Sequence, residues 1–153
     1  MQLSEIIDIS RIRRDINVLS KKRALEELSN LITAEQPQLN SPKVFESLIS
    51  RERLGSTGVG HGIAIPHGRI KDCNKITGAF IQLNQGIDFD AIDNQPVDML
   101  FALAVPEEST DEHLQVLALL AAMFNDENFR NQLRKSKNEE ETYQLLTEWK
   151  KTT

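Results

Sequence analysis

The residues best suited to chemistry crowd into one stretch, Arg51 to Gly68, which reads R-E-R-L-G-S-T-G-V-G-H-G-I-A-I-P-H-G. Five of the seven glycines and two of the three histidines fall between Gly55 and Gly68. Glycine is entropically costly to order, so this clustering points to unusual dihedrals or to backbone lying close to something bound. His67, between Pro66 and Gly68, places an imidazole at the end of an apolar run, beside backbone that small residues leave accessible. Such a position suits a reactive or ligand-binding group. His113 is the second candidate, in the first turn of a helix that follows a long apolar strand. If the strands ending at Pro66 and Pro106 are parallel neighbours, the two histidines can meet. The positive end of that helix would disfavour imidazolium and lower the His113 pKa.

Other residues in the stretch carry two readings. Arg51 complements the negative end of a helix, or leans over the glycine-rich turn to hold an anion. Ser56 and Thr57 supply hydroxyls to a bound phosphate, or stabilise the turn itself. His61, flanked by Gly60 and Gly62, is expected on an exposed turn with no chemical part. Three histidines, Cys73 and many carboxylates raise the question of a metal, but no spacing matches a compact zinc motif. G-S-T-G-V-G-H-G lacks the G-K-[ST] ending of a P-loop, and it precedes its apolar run, where a dinucleotide loop follows its strand. From spacing alone the stretch is an anion-friendly site with two histidines and an arginine.

The elements that must position these residues read as follows. A short turn or helix precedes a strand that includes Ile12 and Ile16. Ser20 is the expected N-cap of an amphipathic helix carrying Leu25, Leu28, Leu31 and Ile32, which ends before Pro37. Ser41-Pro42 opens a second helix, with serine as cap and Val44, Leu48 and Phe45 inward. Arg51 and Arg53 lie at its C-terminal end. Ile63-Ala64-Ile65 reads as a short buried strand stopped by Pro66. Ile76 to Leu83 is a further strand, ended by turn chemistry at Asn84-Gln85-Gly86. Ile87 to Ile92 alternates as a half-exposed strand or edge, and Asp93 to Pro96 is a turn. Val97 to Val105 is apolar almost throughout and is expected at the centre of a sheet, buried on both faces. Ser109 and Glu112 have capping-box spacing, so a helix begins there with Leu114, Leu117, Leu120, Ala121 and Phe124 as its apolar face. Short helices cover Phe129 to Leu133 and Glu139 to Trp149. The interleaving predicts an α/β fold, a single domain over residues 1–153, with a mixed sheet flanked by helices on both sides.

The 153 residues suffice for one domain with a substantial core. With a net charge of −5 and no basic block, nucleic acid is not an expected partner. A single cysteine excludes an internal disulfide. The first residues lack the basic start and apolar run of a signal peptide, and no apolar run approaches a membrane span of about 20 residues. A soluble cytoplasmic protein with no direct membrane insertion is expected.

R-E-x-L-G-S-T-G-x-G-x-G-I-A-I-P-H-G from Arg51 to Gly68, F-D-A-I-D-N-Q-P-V-D from Phe89 to Asp98, and H-L after Asp111-Glu112 together resemble a known family. It is the fructose/mannitol-type (type-2) enzyme IIA domain of the bacterial phosphoenolpyruvate-dependent phosphotransferase system, in its stand-alone, nitrogen-regulatory form. The resemblance spans nearly the whole chain. It implies that His67 is the phosphorylated residue, accepting a phosphoryl group from a small HPr-like carrier on the ring nitrogen farther from the backbone. It further implies that His113 is the second active-site histidine and Arg51 the anion-holding arginine. The turn with Ser56, Thr57, Gly58, Gly60 and Gly62 would cradle the phosphate, and Gly68 would leave room for the donor's imidazole. The chain would then be a phosphocarrier with a phosphohistidine intermediate and no cofactor, rather than a turnover enzyme. Its phosphorylation state would be read by targets such as potassium-transport or sensor-kinase components. His61 departs from the family pattern, standing where relatives often carry a small polar residue such as Asn. Two other readings stay open: a sugar-specific IIA that feeds a separate IIB, and an anion-sensing module that transfers nothing.

Overall fold

A computed structural model describes residues 2–109 and 111–151. Thirteen elements follow in order. Two 3-10 turns, Leu3–Glu5 and Ile9–Arg11, lead into β1 (Ile12–Ile16), α1 (Lys21–Thr33) and α2 (Ser41–Leu54). The glycine-rich stretch forms three short strands, β2 (Gly58–Gly60), β3 (Ile63–Ala64) and β4 (His67–Ile70). Then come β5 (Thr77–Ile87), β6 (Val97–Pro106) and the helices α3 (Asp111–Phe124), α4 (Glu127–Lys135) and α5 (Glu139–Glu148).

The sheet is mixed, in the order β1-β5-β6-β3-β2, with β4 also paired to β6. β6 is central, as its apolar run predicts: only Asp98 and the terminal Pro106 escape full burial. Its alternate residues separate the core into two layers. Leu100, Ala102 and Ala104 pack with Leu25, Leu28, Ile32, Val44 and Leu48 of α1 and α2. Met99, Phe101, Leu103 and Val105 pack with Val116, Leu120, Phe124, Leu133 and Leu146 of α3, α4 and α5. The α/β class with helices on both faces of a mixed sheet is therefore what the chain adopts.

Local signals decide most of the boundaries. The Ser20 hydroxyl accepts the Arg23 amide and starts α1 as expected. α2 begins one residue earlier than its Ser-Pro signal suggests: Asn40 is the cap, accepting the Lys43 amide, and Pro42 follows within the first turn. At α3 the expected Ser109–Glu112 capping box is not formed. The Ser109 hydroxyl is buried without a partner among the described residues. The helix starts at Asp111, and Thr110 lies outside the described residues. The buried face of α3 is His113, Val116, Leu120, Met123 and Phe124, one position round from the expected stripe, which leaves Leu114 65% exposed.

Two strand assignments are corrected. Asn84-Gln85-Gly86 does not turn the chain; β5 runs on to Ile87, which pairs with Val97 across a register shift. Ile87 to Ile92 is not an edge strand, although its burial alternates: Phe89 and Ala91 are buried while Ile92 is 83% exposed. Asp90 and Asn94 adopt positive φ there and break the extended run.

Candidate functional site

β3 ends at Ala64, just before Ile65-Pro66, as the proline signal predicts, and pairing with β6 resumes beyond it. β3 and β4 both run parallel to β6, Ile63 opposite Met99 and His67 opposite Leu103. They are one strand broken at Ile65-Pro66. Proline has no amide to donate, so the ladder is interrupted while its carbonyl still accepts the Leu103 amide at 2.9 Å. His67 thus opens a new strand, β4, directly after the break.

The break also sets the imidazole. His67 Nδ1 lies 2.9 Å from the Ile65 carbonyl oxygen. A carbonyl can only accept, so Nδ1 carries the proton and the lone pair of the neutral ring is on Nε2. No group among the described residues hydrogen-bonds to Nε2. The ring is partly exposed and reachable from solvent. Burial is the first cause that holds the His67 pKa below its ordinary value, and the Arg51 charge adds to it; the Ile65 carbonyl and Glu52 oppose. The nitrogen nucleophile is therefore unprotonated at neutral pH.

Side chains alternate along β4, so His67 shares with Leu103 the face of the sheet that meets α3. There it reaches His113, the third residue of α3. The two rings meet edge to face, their centroids 5.3 Å apart. The conditional expectation that parallel strands would bring these histidines together is borne out. His113 is 8% exposed, and its Nε2 is buried with no hydrogen-bond partner among the described residues. Its pKa is depressed, first by burial and then by His67 and Arg69, where the sequence reading assigned the effect to the helix end.

Arg51 stands in the last turn of α2, and its Nη1 donates to the Gly55 carbonyl at 2.7 Å. That bond is the helix-end role. The same guanidinium is close enough to His67 to influence its titration, so the two readings of Arg51 are not exclusive. Ser56 and Thr57 turn away from any external anion. Ser56 Oγ donates to the Phe89 carbonyl at 2.7 Å, and the Thr57 hydroxyl donates to Glu52 within a buried network. Gly58 packs against Ala91, so no side chain fits there. Gly60 and Gly62 take positive φ in the β2–β3 hairpin, facing Asp93 and Arg134. That hairpin tip lies level with Asp98 and Met99, whereas His67 lies level with Leu103, at least four residues or roughly 13 Å further along β6. His61 sits at the tip, exposed, its amide donating to Asp93 and its carbonyl accepting from Arg134. Gly68, expected to leave space for a donor, instead lets α2 approach the sheet: a side chain there would collide with Ser47. The geometry brings His67 and His113 into contact, with Arg51 near enough to act on His67 electrostatically, and the hydroxyls of the glycine-rich turn bond within the protein.

Two residues of this region escape a reading by spacing. Glu52 reads as a solvent-facing helical residue, yet its side chain is 2% exposed. Arg69 stands two residues after His67 on the same strand face, its Nη1 donating to the Glu107 carbonyl at 3.0 Å. The signal for Arg69 is the i, i+2 spacing from His67, visible only once β4 is known to be a strand.

A histidine with an unprotonated Nε2 meets a second, buried imidazole, with a guanidinium nearby, on a mixed α/β/α sandwich. The sequence pattern of the family described as phosphoenolpyruvate-dependent sugar phosphotransferase system, EIIA 2, matches residues 5–149. The chain belongs to that family. It is 47% identical over 149 residues to a protein of Klebsiella oxytoca called nitrogen regulatory protein, covering 97% of this chain and 91% of that one. A Pseudomonas aeruginosa protein of the same name is 42% identical over 148 residues, covering 97% and 96%. Among solved structures, the nitrogen regulatory protein IIA-Ntr of Neisseria meningitidis superposes with a TM-score of 0.89 at 44% identity, covering 95% of this chain and 99% of that one. Within its family the chain is similar to these nitrogen regulatory members. Among the described residues no helix is long and apolar enough to cross a membrane.

Proposed function

We propose that this chain accepts a phosphoryl group on Nε2 of His67 from a phosphohistidine of a small HPr-like carrier, and that protein targets read its phosphorylation state. The observation that carries this reading is the hydrogen bond from Nδ1 of His67 to the Ile65 carbonyl. It commits the neutral ring to the tautomer whose outer nitrogen is nucleophilic. As the bond from Nε2 to phosphorus forms, the bond from phosphorus to the donor nitrogen breaks, and its electron pair stays on the donor ring. His67 then carries positive ring charge, which the Ile65 carbonyl stabilises through the Nδ1 proton. The guanidinium of Arg51 offsets charge on the phosphoryl oxygens. His113, with its Nε2 unpaired, supplies a hydrogen bond to the same oxygens.

The likeness to proteins called nitrogen regulatory protein supports a regulatory rather than a transport role. A phosphoryl group on the partly exposed His67 adds negative charge to the surface, which changes partner binding through electrostatics. The test is intact-mass spectrometry at alkaline pH after incubation with phosphoenolpyruvate, enzyme I and the carrier. A gain of one phosphate that His67→Ala abolishes is expected; equal labelling of the His67→Ala protein would refute the assignment.

A further inference from the structure

The Glu52 carboxylate lies beneath the site without touching it. Its Oε1 accepts the Thr57 amide at 3.1 Å, and its Oε2 accepts the Thr57 hydroxyl. Lys21 Nζ lies 3.0 Å from Oε1 and 4.6 Å from the centre of the Phe89 ring. Lys21 occupies the first turn of α1, where the helix dipole disfavours a cation. Its place there is accounted for by the carboxylate it neutralises, since a buried carboxylate without a partner is strongly unfavourable.

The Thr57 peptide carries the contact onward. Its carbonyl accepts the Ile65 amide at 3.0 Å. The Ile65 carbonyl in turn accepts Nδ1–H of His67 at 2.9 Å. Glu52, Thr57, Ile65 and His67 are therefore tied in sequence by hydrogen bonds to the backbone of Thr57 and Ile65, which fixes where the Ile65 carbonyl meets the ring. On the other side, Gly55 lies in the short segment between Glu52 and Thr57, and its carbonyl holds Arg51. One buried carboxylate thus braces both the ring and the guanidinium of the site.

We infer that Glu52 is a positioning residue for phosphoryl transfer, acting through the Thr57 and Ile65 peptides to hold His67 in its Nδ1–H tautomer and Arg51 at the edge of the site. The inference rests on the proposed role of His67 as acceptor. Aspartate beside a catalytic imidazole performs the same task by direct contact. Here the backbone of two residues stands between, so the charge stays buried and clear of the phosphoryl oxygens it would repel.

The test compares the unmodified protein with Glu52→Gln, which keeps shape and acceptor oxygen but removes the charge, and Thr57→Val, which removes one hydroxyl and keeps the amide. Nitrogen-15 NMR of the His67 ring reads the tautomer and titration, and quenched-flow labelling reads the rate. In Glu52→Gln the Nδ1–H form should lose its dominance, and the His67 pKa should fall because a nearby negative charge is gone. The maximal rate of phosphoryl acceptance should drop about tenfold with the carrier KM unchanged. Thr57→Val should shift each readout in the same direction by less. Unchanged tautomer, titration and rate in a folded Glu52→Gln protein would overturn the inference; should that variant not fold, unchanged readouts in Thr57→Val would do so. Failure of the unmodified protein to accept phosphate would instead refute the role of His67, while the NMR readouts would still decide whether Glu52 governs its ring.

Discussion

The His67 and His113 rings meet edge to face, their centroids 5.3 Å apart and their planes inclined by 68°. One comes from the broken strand beside β6, the other from the helix that follows β6. Their meeting depends on β4 and β6 running parallel. α3 follows β6 after a short connection, and His67 on the parallel β4 meets the third residue of that helix. This is the place where open α/β sheets gather binding groups.

Removing the second imidazole should separate stability from transfer. His113 is buried with an unpaired Nε2, and replacing such a group by an apolar one of similar shape is close to neutral or stabilising. His113→Phe should leave the urea midpoint unchanged or raised, while phosphoryl acceptance slows by roughly tenfold or more. A clear loss of stability at an unaltered rate would count against His113 as a partner of the phosphoryl group.

Arg51 is expected to contribute charge and geometry together. Arg51→Ala should slow acceptance by roughly 10–100-fold, the usual scale for losing one donor aimed at developing charge. Arg51→Lys should recover only part of that rate, since an ammonium keeps the charge but lacks the planar fork that also holds the Gly55 carbonyl. Rapid-quench kinetics at several carrier concentrations checks both. Full activity in Arg51→Ala would remove it from the site.

Both site histidines have pKa values lowered from the ordinary 6.5, chiefly by burial. Their neutral forms are favoured by folding, so their contribution to stability is complete above that value. It declines as pH falls from 6.5 through the lower folded-state values, because the unfolded chain binds those protons more readily. Acceptance should likewise be flat above neutrality and fall on acidification once Nε2 of His67 is protonated. Once His67 carries a phosphoryl group, the added negative charge should raise the His113 pKa. Proton NMR titration of the two rings, before and after phosphorylation, reads all of this. A His67 pKa above 6.5 in the unphosphorylated protein would contradict the site's electrostatics.

Gly68 separates the packing role from the chemical one. An added methyl would meet the Ser47 side chain and backbone, so Gly68→Ala must push α2 away from β4. A loss of about 1–3 kcal/mol in denaturant unfolding is expected, the usual range for overpacking a tight contact. Phosphoryl acceptance should fall with it, because α2 carries Arg51. Unchanged stability would show that the α2–β4 contact is looser than it stands here.

Much of this was legible from residue order. Val97 to Val105 is apolar at both parities, and a strand that needs burial on both faces has to be central. The leucine spacing of α1 and its Ser20 cap specify an amphipathic helix, and the glycine cluster with His67 marks the site. These features depend on neighbours a few residues apart, where local sterics, capping and periodicity act. The boundaries that failed were governed by competition between local signals. Asn84-Gln85-Gly86 has turn chemistry, but pairing with β6 keeps β5 extended through it. Pro66 does end β3, and what its chemistry does not show is that pairing with β6 resumes at once as β4.

Only the tertiary structure decided the rest. Whether Ser56 and Thr57 faced an anion or the protein depended on Phe89 and Glu52 being close by. That Glu52 is buried, with the half-buried Lys21 against it, follows from packing α1 against α2 beside the turn. The tautomer of His67 rests on a carbonyl two residues away, which reaches the ring only because the strand breaks between them. The sequence by itself determined which residues could do the chemistry, since residue types and near-neighbour spacing are local properties. Which nitrogen is free, which carboxylate stands behind it and which hydroxyls are already engaged were settled by how the chain folds around the break at Pro66 and the turn after α2, and, for Ser56, by Phe89 more than thirty residues away.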